Sequence, residues 1–350
     1  MTAITSTPAR VRPTAAARSV ARRRRLIVMG LLVATVVFGV ISIGLGAEHL
    51  GVNRVILALI GRGTTSEELI VGQLRLPRII AGACAGASLA VSGVLLQAVT
   101  RNPIASPAVV GINGGAGLGA VIMVSYTATA ASWSTPVGAF VGALATGAIV
   151  YLLSRRNREV NPGRLALVGV AIGGMAMAAI QLVLVLTVFT GDIDVALRWL
   201  IGSLWNTSWT NVWQVLPFTA AGVPLAWLLA GQLDLLGLGD DVPRALGSRL
   251  ETLKLVVLAV AIGLAASAVA VGGTIAFVGL IAPHVCRRLV GPGHRLLVPA
   301  TALSGALLVL LADAAGRSLL PPTDIPVGLF TVVIGAPYFL FQLRRGLGRT

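Results

Sequence analysis

Long apolar runs separated by short polar segments dominate the chain from Leu26 onward. Most of these runs approach the ~20 residues that an α-helix needs to cross the hydrocarbon core of a bilayer. We predict ten such helices, over 26–46, 79–99, 107–126, 135–153, 165–190, 212–230, 254–271, 274–286, 296–316 and 326–343. The pattern therefore predicts an all-α integral membrane protein whose transmembrane domain covers residues 26–345.

Two segments differ from the spans. Residues 1–25 are polar, contain seven arginines and cannot build a core, so we predict a disordered basic tail. A signal peptide also places basic residues before an apolar stretch, but that stretch is usually 7–15 residues long, whereas 26–46 is 21 residues long and is interpreted as a membrane helix. Residues 192–210 are too polar to span and too apolar to be free in solution, which predicts a short interfacial helix on the outer face.

The distribution of basic residues predicts the orientation. An even number of spans puts both termini on one side of the membrane, and placing both inside assigns 21 of the 27 lysines and arginines to cytoplasmic segments. Such an excess of basic residues is typical of cytoplasmic connections. Five of the six tryptophans then lie in or beside outer connections, where the headgroup layer favours them. We therefore expect both termini in the cytoplasm.

Composition excludes several classes of protein. Charged residues make up 11% of the chain and hydrophobic residues 56%, whereas a soluble domain carries about a quarter charged residues. The net charge of +15 does not indicate nucleic-acid binding, because the arginines lie at the ends of apolar runs and not on a basic face with aromatics. Cys84 and Cys286 lack metal-ligand spacing, so we interpret them as small buried residues and expect no metal site.

Glycine is abundant inside the predicted spans, with 42 residues in the chain. In a membrane, two glycines four residues apart let helix backbones approach closely. This spacing occurs at Gly82/Gly86, Gly111/Gly115, Gly115/Gly119, Gly138/Gly142 and Gly169/Gly173. The glycine-rich stretch 111–119 is superficially similar to a dinucleotide-binding loop, but no strand precedes it and no acidic residue follows at the required distance. We therefore predict close helix packing there.

No catalytic motif is present in the sequence. No glycine-rich phosphate loop precedes Lys254, the sole lysine, and no HExxH or GxSxG motif occurs. If the protein uses ATP, the ATPase is another chain. Asp313 lies four residues before Arg317, which allows an ion pair on one helix face near the outer surface. This pair is either a local structural contact or part of the mouth of a substrate path.

An ion-coupled transporter or a membrane enzyme is the alternative function class. Ion coupling needs ionisable groups near the bilayer midplane. The main polar side chains of the second to eighth predicted spans are the uncharged Gln97, Asn113 and Gln181. The near absence of ionisable groups there disfavours this alternative.

Three groups of motifs follow one another along the chain. They are Leu74-Arg75-Leu76-Pro77-Arg78 with Gly93, Gln97, Arg101-Asn102-Pro103-Ile104-Ala105-Ser106-Pro107 and Gly111; Gly273 to Arg287 with Gly293-His294-Arg295 and Ala312-Asp313; and Pro326-Val327-Gly328 with Gly335-Ala336-Pro337-Tyr338-Phe339. In this order they resemble the FecCD-type permeases, the membrane subunits of ABC importers for iron-siderophores, haem and cobalamin. The resemblance covers about residues 26–345.

The resemblance implies a ten-helix permease subunit in the cell membrane, with an inverted repeat that relates spans two to five to spans seven to ten. Its expected partners are a second permease subunit, a cytoplasmic ATPase and an extracytoplasmic binding protein. We expect a ferric siderophore or similar metal chelate as cargo, with haem or cobalamin as the alternative. ATP and Mg²⁺ would bind to the partner ATPase, and this chain would bind no cofactor and catalyse no reaction.

The resemblance also implies roles for individual residues. Arg75, Arg78 and Arg317 match outer arginines that dock carboxylates of the binding protein, as guanidinium groups do well. The alternative is that they cap helices or bind lipid phosphate. We expect reversal of charge at Arg75 and Arg78 to weaken docking and uptake with folding intact.

Two further sets of residues follow from the resemblance. The segment 238–250 matches the region that couples the permease to the ATPase, although Pro243 departs from the usual residue there. Outside this segment, Asp324 stands before Pro326-Val327-Gly328 where the family commonly carries glutamate. The coupling residues are Asp240, Asp241, Arg244, Ala245, Leu246 and Gly247. The translocation path and its helix packing are assigned to Gly93, Gln97, Asn102, Pro103, Gly111, Asn113 and Gly115.

Overall fold

The structure, a computed structural model, describes residues 15–46, 49–126, 133–156, 159–187, 193–240 and 249–347. Within these ranges the chain is almost entirely helical. The helices are α1 (Ala15–Gly44), α2 (Val52–Leu59), α3 (Thr65–Leu69), a π-helical turn (Ile70–Arg75), α4 (Leu76–Thr100), α5 (Ile112–Tyr126), α6 (Ser134–Ser154), α7 (Pro162–Leu186), α8 (Ile193–Ile201), α9 (Trp209–Leu228), α10 (Ala230–Leu236), α11 (Leu250–Gly272), α12 (Val278–Val290), α13 (His294–Ser318) and α14 (Val327–Leu347). Two-residue strands β1 (Arg155–Arg156) and β2 (Glu159–Val160) pair antiparallel between α6 and α7.

Each of the ten predicted apolar runs overlaps a helix, which confirms the all-α membrane class. Among the described residues, six helical segments are long and apolar enough to span a bilayer. They are 19–44 of α1, 65–100 through α3 and α4, α6, α7, α11 and α13. The bent pair α9–α10 is a seventh candidate, while α5 and α14 are shorter apolar helices. The count of ten, the side of the termini and the inverted repeat stay predictions.

Helix α4 lies at the centre of the bundle, with contacts to α9, α11, α12 and α13. Its residues from Ser88 to Thr100 are buried on every side, as expected for a helix that is apolar all round. Helices α1 and α7 instead expose most of their apolar side chains, which suits a surface in contact with lipid. The core is therefore built around α4.

The structure corrects several predicted boundaries. Helix α1 begins at Ala15, so residues 15–25 of the predicted tail are helical, consistent with the high helix propensity of alanine and arginine. Residues 1–14 lie outside the described part of the chain. A short helix occurs within 192–210, but α8 ends at Ile201, where Gly202 follows with a positive φ of 89°. A Ser208–Asn211 capping box then starts α9 at Trp209. Helices α2 and α3 were not predicted.

Two of the apolar runs are interrupted by breaks in the helical backbone. The run 212–230 is split by a bend of 61° between α9 and α10. The run 274–286 enters its helix only at Val278, because Gly273 and Phe277 both have positive φ angles, of 66° and 64°. Between them the Thr274 amide donates to the Trp199 carbonyl oxygen of α8 at 3.4 Å, and Thr274 and Ala276 line the cavity described below.

Candidate functional site

An ion-pair cluster joins α4, α13 and the connection before α14 at the end of the bundle predicted to face outward. Arg78 donates from Nε to Asp313 Oδ1 at 2.8 Å and from Nη1 and Nη2 to Asp324 at 2.6 and 2.9 Å. Arg317 donates from Nε to Asp313 Oδ2 at 2.9 Å, which confirms the ion pair allowed by the i,i+4 spacing. Asp313 has no exposed surface and bridges both arginines.

The same cluster caps the C-terminal end of α1. Arg75 donates to the carbonyl oxygen of Ile43 at 2.7 Å, and Arg317 donates to that of Leu45 at 2.7 Å and to Ser42 Oγ at 2.7 Å. The last carbonyls of a helix lack intrahelical donors and carry partial negative charge, so guanidinium groups stabilise them. The three predicted docking arginines therefore have partners inside the protein itself.

A small cavity of about 190 Å³ opens beside these arginines. Its lining is Gly46, Leu74, Arg75, Arg78, Arg317, Pro322, Thr323 and Asp324. Arg78 and Arg317 are paired with Asp313 and Asp324, and Arg75 lies in the same lining. The cavity therefore brings three guanidinium groups together, with the Asp324 carboxylate in the same lining.

Glycine contacts bring α4 against its neighbours in the middle of the bundle. A Cβ atom on Gly93 would lie 2.0 Å from the carbonyl oxygen of Gly279, and one on Gly86 would lie 2.3 Å from that of Gly305. One turn further along α4, the Gln97 amide donates to the carbonyls of Ala105 and Gly279 at 3.2 and 3.3 Å. Gln97 thus links α4 to α12 and to the connection before α5.

The connection from α4 to α5, residues 101–111, begins with a tight turn. Asn102 Oδ1 accepts a hydrogen bond from the Ile104 amide at 3.0 Å, the Asx-turn geometry that asparagine favours, and Pro103 follows directly. Gly111 has φ +80° and a Cβ there would meet the carbonyl oxygen of Gly169 at 2.5 Å. Only glycine fits this approach of α7 to the start of α5.

A cavity of about 390 Å³ lies beside the start of α5, α7 and the extended segment before α12. It is lined by Ala108, Asn113, Gly114, Gly169, Val170, Gly173, Gly174, Met177, Ile180, Leu200, Thr274 and Ala276. None of these residues is ionisable. Asn113 Oδ1 is buried and has no hydrogen-bond partner among the described residues. A buried amide oxygen without a partner is rare in proteins and marks a place where a ligand or water is expected.

A second charged cluster lies at the opposite end, where the predicted coupling segment begins. Asp240 accepts from Arg101 Nη2 at 2.6 Å and from Lys254 Nζ at 3.0 Å. Lys254 is 1% exposed and also contacts Glu251 at 3.1 Å, and Glu251 accepts from the Val160 amide at 3.0 Å. The cluster ties the ends of α4 and α10 to the start of α11 and to β2.

The coupling residues after Asp240 lie outside the described part of the chain: Asp241, Arg244, Ala245, Leu246 and Gly247. Of the predicted path residues, Gly93 and Gln97 meet at the α4–α12 contact, while Gly111, Asn113 and Gly115 line the contacts of α5. Sequence reasoning missed Arg101 and Lys254 as partners of Asp240. One signal was available in the sequence: Lys254 is the sole lysine and lies among apolar residues, so a buried lysine there needs an acidic partner.

Comparison with known proteins gives consistent results. The model of the FecCD transport family matches residues 31–345. The Fe(3+)-citrate import system permease protein YfmE of Bacillus subtilis is 43% identical over 323 residues, 92% of this chain and 96% of that protein. The iron(3+)-hydroxamate import system permease protein FhuG of the same organism is 38% identical over 330 residues, covering 91% and 97%. A solved structure of a metal-chelate type ABC transporter in an inward-facing conformation matches with a TM-score of 0.82 and 30% identity, over 92% of this chain and 99% of that one.

Proposed function

Because the chain belongs to the FecCD transport family, we propose that it carries a ferric siderophore or a similar metal chelate into the cell. It is a multi-pass membrane protein and an import permease of the ABC class. The identity of the cargo is the proposed part. Relatives named for ferric citrate and ferric hydroxamate uptake, both matched over more than nine-tenths of this chain, support an iron chelate.

The observation that carries this proposal is the uncharged cavity around Asn113. A metal chelate has its cation already neutralised by the chelator, so its path needs apolar and hydrogen-bonding groups in place of charged ligands. The lining supplies glycine, aliphatic side chains and one buried amide oxygen without a described partner. The same lining offers no carboxylate or imidazole for proton coupling. We propose that a second permease subunit completes the path.

Replacement of Asn113 by leucine separates a transport role from a structural one. We expect chelate uptake to fall about tenfold, because the amide oxygen available to the cargo is lost. We expect stability to stay equal or to rise, because a buried polar atom without a partner is replaced by an apolar group. Uptake into vesicles and the midpoint of thermal unfolding measure the two effects.

The control for this variant is Met177→Leu, a substitution of similar volume in the same cavity. It is expected to leave uptake within about twofold of the original chain. Normal uptake by Asn113→Leu, or equal losses in both variants, would remove Asn113 from the path.

We propose that ATP hydrolysis by a separate subunit drives transport through the segment 238–250. ATP and Mg²⁺ bind to that subunit, in keeping with the absence of a phosphate-binding loop from this sequence. Asp240 supports the proposal, since its two ion pairs anchor the start of the segment to α4 and α11. Through these ion pairs, a movement of the segment would be transmitted to α4, the central helix of the bundle.

Asp240→Asn and Arg101→Gln test this coupling. In the reconstituted complex, each is expected to reduce uptake per ATP hydrolysed about fivefold, because the link from the segment to α4 is lost. The double variant is expected to be no worse than either single one, since both remove the same contact. Parallel assays of ATP hydrolysis and chelate uptake measure the ratio, and additive losses would show that the two residues act separately.

We propose that the outer cavity of Arg75, Arg78 and Arg317 receives a carboxylate of the binding protein. The three guanidinium groups in its lining support this role, because guanidinium groups favour contacts with carboxylates. The expected double reversal of Arg75 and Arg78 is a poor test, however. It would place a glutamate at position 78 against Asp313 and Asp324 and disturb the fold itself.

Reconstitution tests the function as a whole. The chain, its ATPase and its binding protein are placed in vesicles, and uptake of radioactive ferric citrate, a ferric hydroxamate and cobalamin is compared. We expect ATP-dependent uptake of an iron chelate that a proton uncoupler leaves unchanged. A preference for cobalamin would replace the proposed cargo, and uphill uptake without the ATPase would contradict the proposed mechanism.

A further inference from the structure

A groove of about 690 Å³ lies at the arginine-rich end of α1 and shares no lining residue with the cavity around Asn113. Its walls come from α1, the second half of α9, the turn after α12 and the start of α13. The volume falls within the range of pockets that bind small molecules, about 300–1,000 Å³. The excess of basic residues predicts that this end of the bundle faces the cytoplasm.

Three arginines line one part of the groove: Arg24, Arg25 and Arg295. The Arg24 side chain is half-buried, and its guanidinium group lies on the turn after α12, where a Cβ atom on Gly291 would be 2.8 Å from Arg24 Nη2. None of the described residues that line the groove is acidic. The groove therefore holds three positive charges without a described counterion in its walls.

The rest of the groove is apolar. Val223, Pro224, Leu296 and Val298 form its sides. Trp227 lies in the same wall and donates from its indole nitrogen to the Arg295 carbonyl oxygen at 2.9 Å. Tryptophan is favoured at the headgroup level of a membrane, and Arg25 directly precedes the apolar run that starts at residue 26. Both features place the boundary between charged and apolar walls at the depth of lipid phosphates.

We propose that this groove binds one anionic phospholipid of the cytoplasmic leaflet. The phosphate lies among Arg24, Arg25 and Arg295, and one acyl chain lies along the wall of Val223 and Val298. Basic pockets between membrane helices are suited to acidic headgroups. A zwitterionic lipid binds less well, because its ammonium group meets guanidinium groups and finds no carboxylate among the described lining residues. The bound lipid fastens the N-terminal end of α1 to α9 and α13.

Native mass spectrometry of the full-length chain in detergent tests the proposal by titration with phosphatidylglycerol or phosphatidylethanolamine. The original chain is expected to bind phosphatidylglycerol at least about tenfold more tightly than phosphatidylethanolamine. The variant R24Q/R25Q/R295Q is expected to lose about tenfold or more of that affinity, since each basic residue near a lipid headgroup contributes appreciably. The matched control is R22Q/R23Q, which removes two exposed arginines of the same helix that do not line the groove. Its affinity should stay within about twofold.

Equal losses in the two variants would show general attraction by basic residues and would overturn the site. Equal affinity for the two lipids would overturn the preference for anionic headgroups. Displacement of the lipid by inorganic phosphate at millimolar concentration would indicate a site for the free anion. If the triple variant does not fold, Arg295→Gln alone is expected to weaken phosphatidylglycerol binding about threefold, and an unchanged affinity would contradict the proposal.

Discussion

Replacing Gly93 with alanine is expected to abolish transport and to lower the free energy of unfolding by about 3 kcal/mol, the upper part of the range for overpacked cores. The added Cβ atom would lie 2.0 Å from the carbonyl oxygen of Gly279 and 2.7 Å from its carbonyl carbon. These are backbone atoms of α12, so no side chain can rotate away, and the two helices must separate. The same contact supports Gln97, which bonds to Gly279.

Gly30→Ala is the matched control for this variant. Gly30 is also in a helix, α1, but a Cβ atom there would meet nothing within 4 Å. Alanine favours a helix over glycine by about 0.8–1 kcal/mol, so this control should be as stable as the original chain or more so. Thermal unfolding in detergent, followed by tryptophan fluorescence, and uptake in vesicles compare the two variants. A Gly93→Ala chain that unfolds at the same temperature as the control would refute the close contact.

Glycine spacing predicts close packing from the sequence but does not identify the partners. The Gly115/Gly119 and Gly138/Gly142 pairs were both recognised, and the structure packs them against each other across α5 and α6, with Cβ positions 2.0–2.6 Å from facing carbonyls. Gly93 has no such pair in the sequence. Its partner Gly279 is far along the chain, so only the assembled bundle defines that contact.

Ion pairs likewise fall into those that the sequence predicts and those that only the folded bundle defines. The Asp313–Arg317 pair could be predicted because four residues of a helix fix its geometry. Arg78 and Asp324 are separated by 246 positions, and their contact depends on how α4 meets the connection before α14. The interpretation of Arg78 as an outward-facing docking group came from its place in the sequence and from the family resemblance, and neither reveals the two internal carboxylates that it contacts.

Helix ends inside apolar sequence were the least predictable feature. The run from 107 to 126 is mostly apolar, yet α5 begins at Ile112, because the Asn102 turn and the positive φ of Gly111 shape the preceding residues. Hydropathy does not distinguish an extended apolar segment from a helical one. The hydropathy pattern therefore did not predict the turns that border the Asn113 cavity, although Asn102, Gly111 and Asn113 were assigned to the path from the sequence.

Asp313→Asn is expected to lower the free energy of unfolding by about 3–5 kcal/mol, the range for removing one partner of a buried ion pair. Asp313 is fully buried and accepts from both Arg78 and Arg317. Without its charge, Arg78 keeps only Asp324 as a described ion-pair partner, and Arg317 keeps only neutral oxygens. The loss should also loosen the end of α1, which Arg317 caps, and denaturant unfolding of the purified chain measures it.

Arg54→Gln provides the comparison, because it removes another arginine–carboxylate pair from the same end of the bundle. The Arg54–Glu67 pair is 3.5 Å long, and the Arg54 side chain is 68% exposed. Exposed pairs contribute about 0–1 kcal/mol and weaken in salt. We therefore expect Arg54→Gln to change stability by less than about 1 kcal/mol, and less still in 1 M salt, whereas the effect of Asp313→Asn should persist there. Equal effects of the two substitutions, or a large Asp313→Asn effect that salt removes, would mean that the Asp313 cluster is open to water and free to exchange its internal partners for external ones.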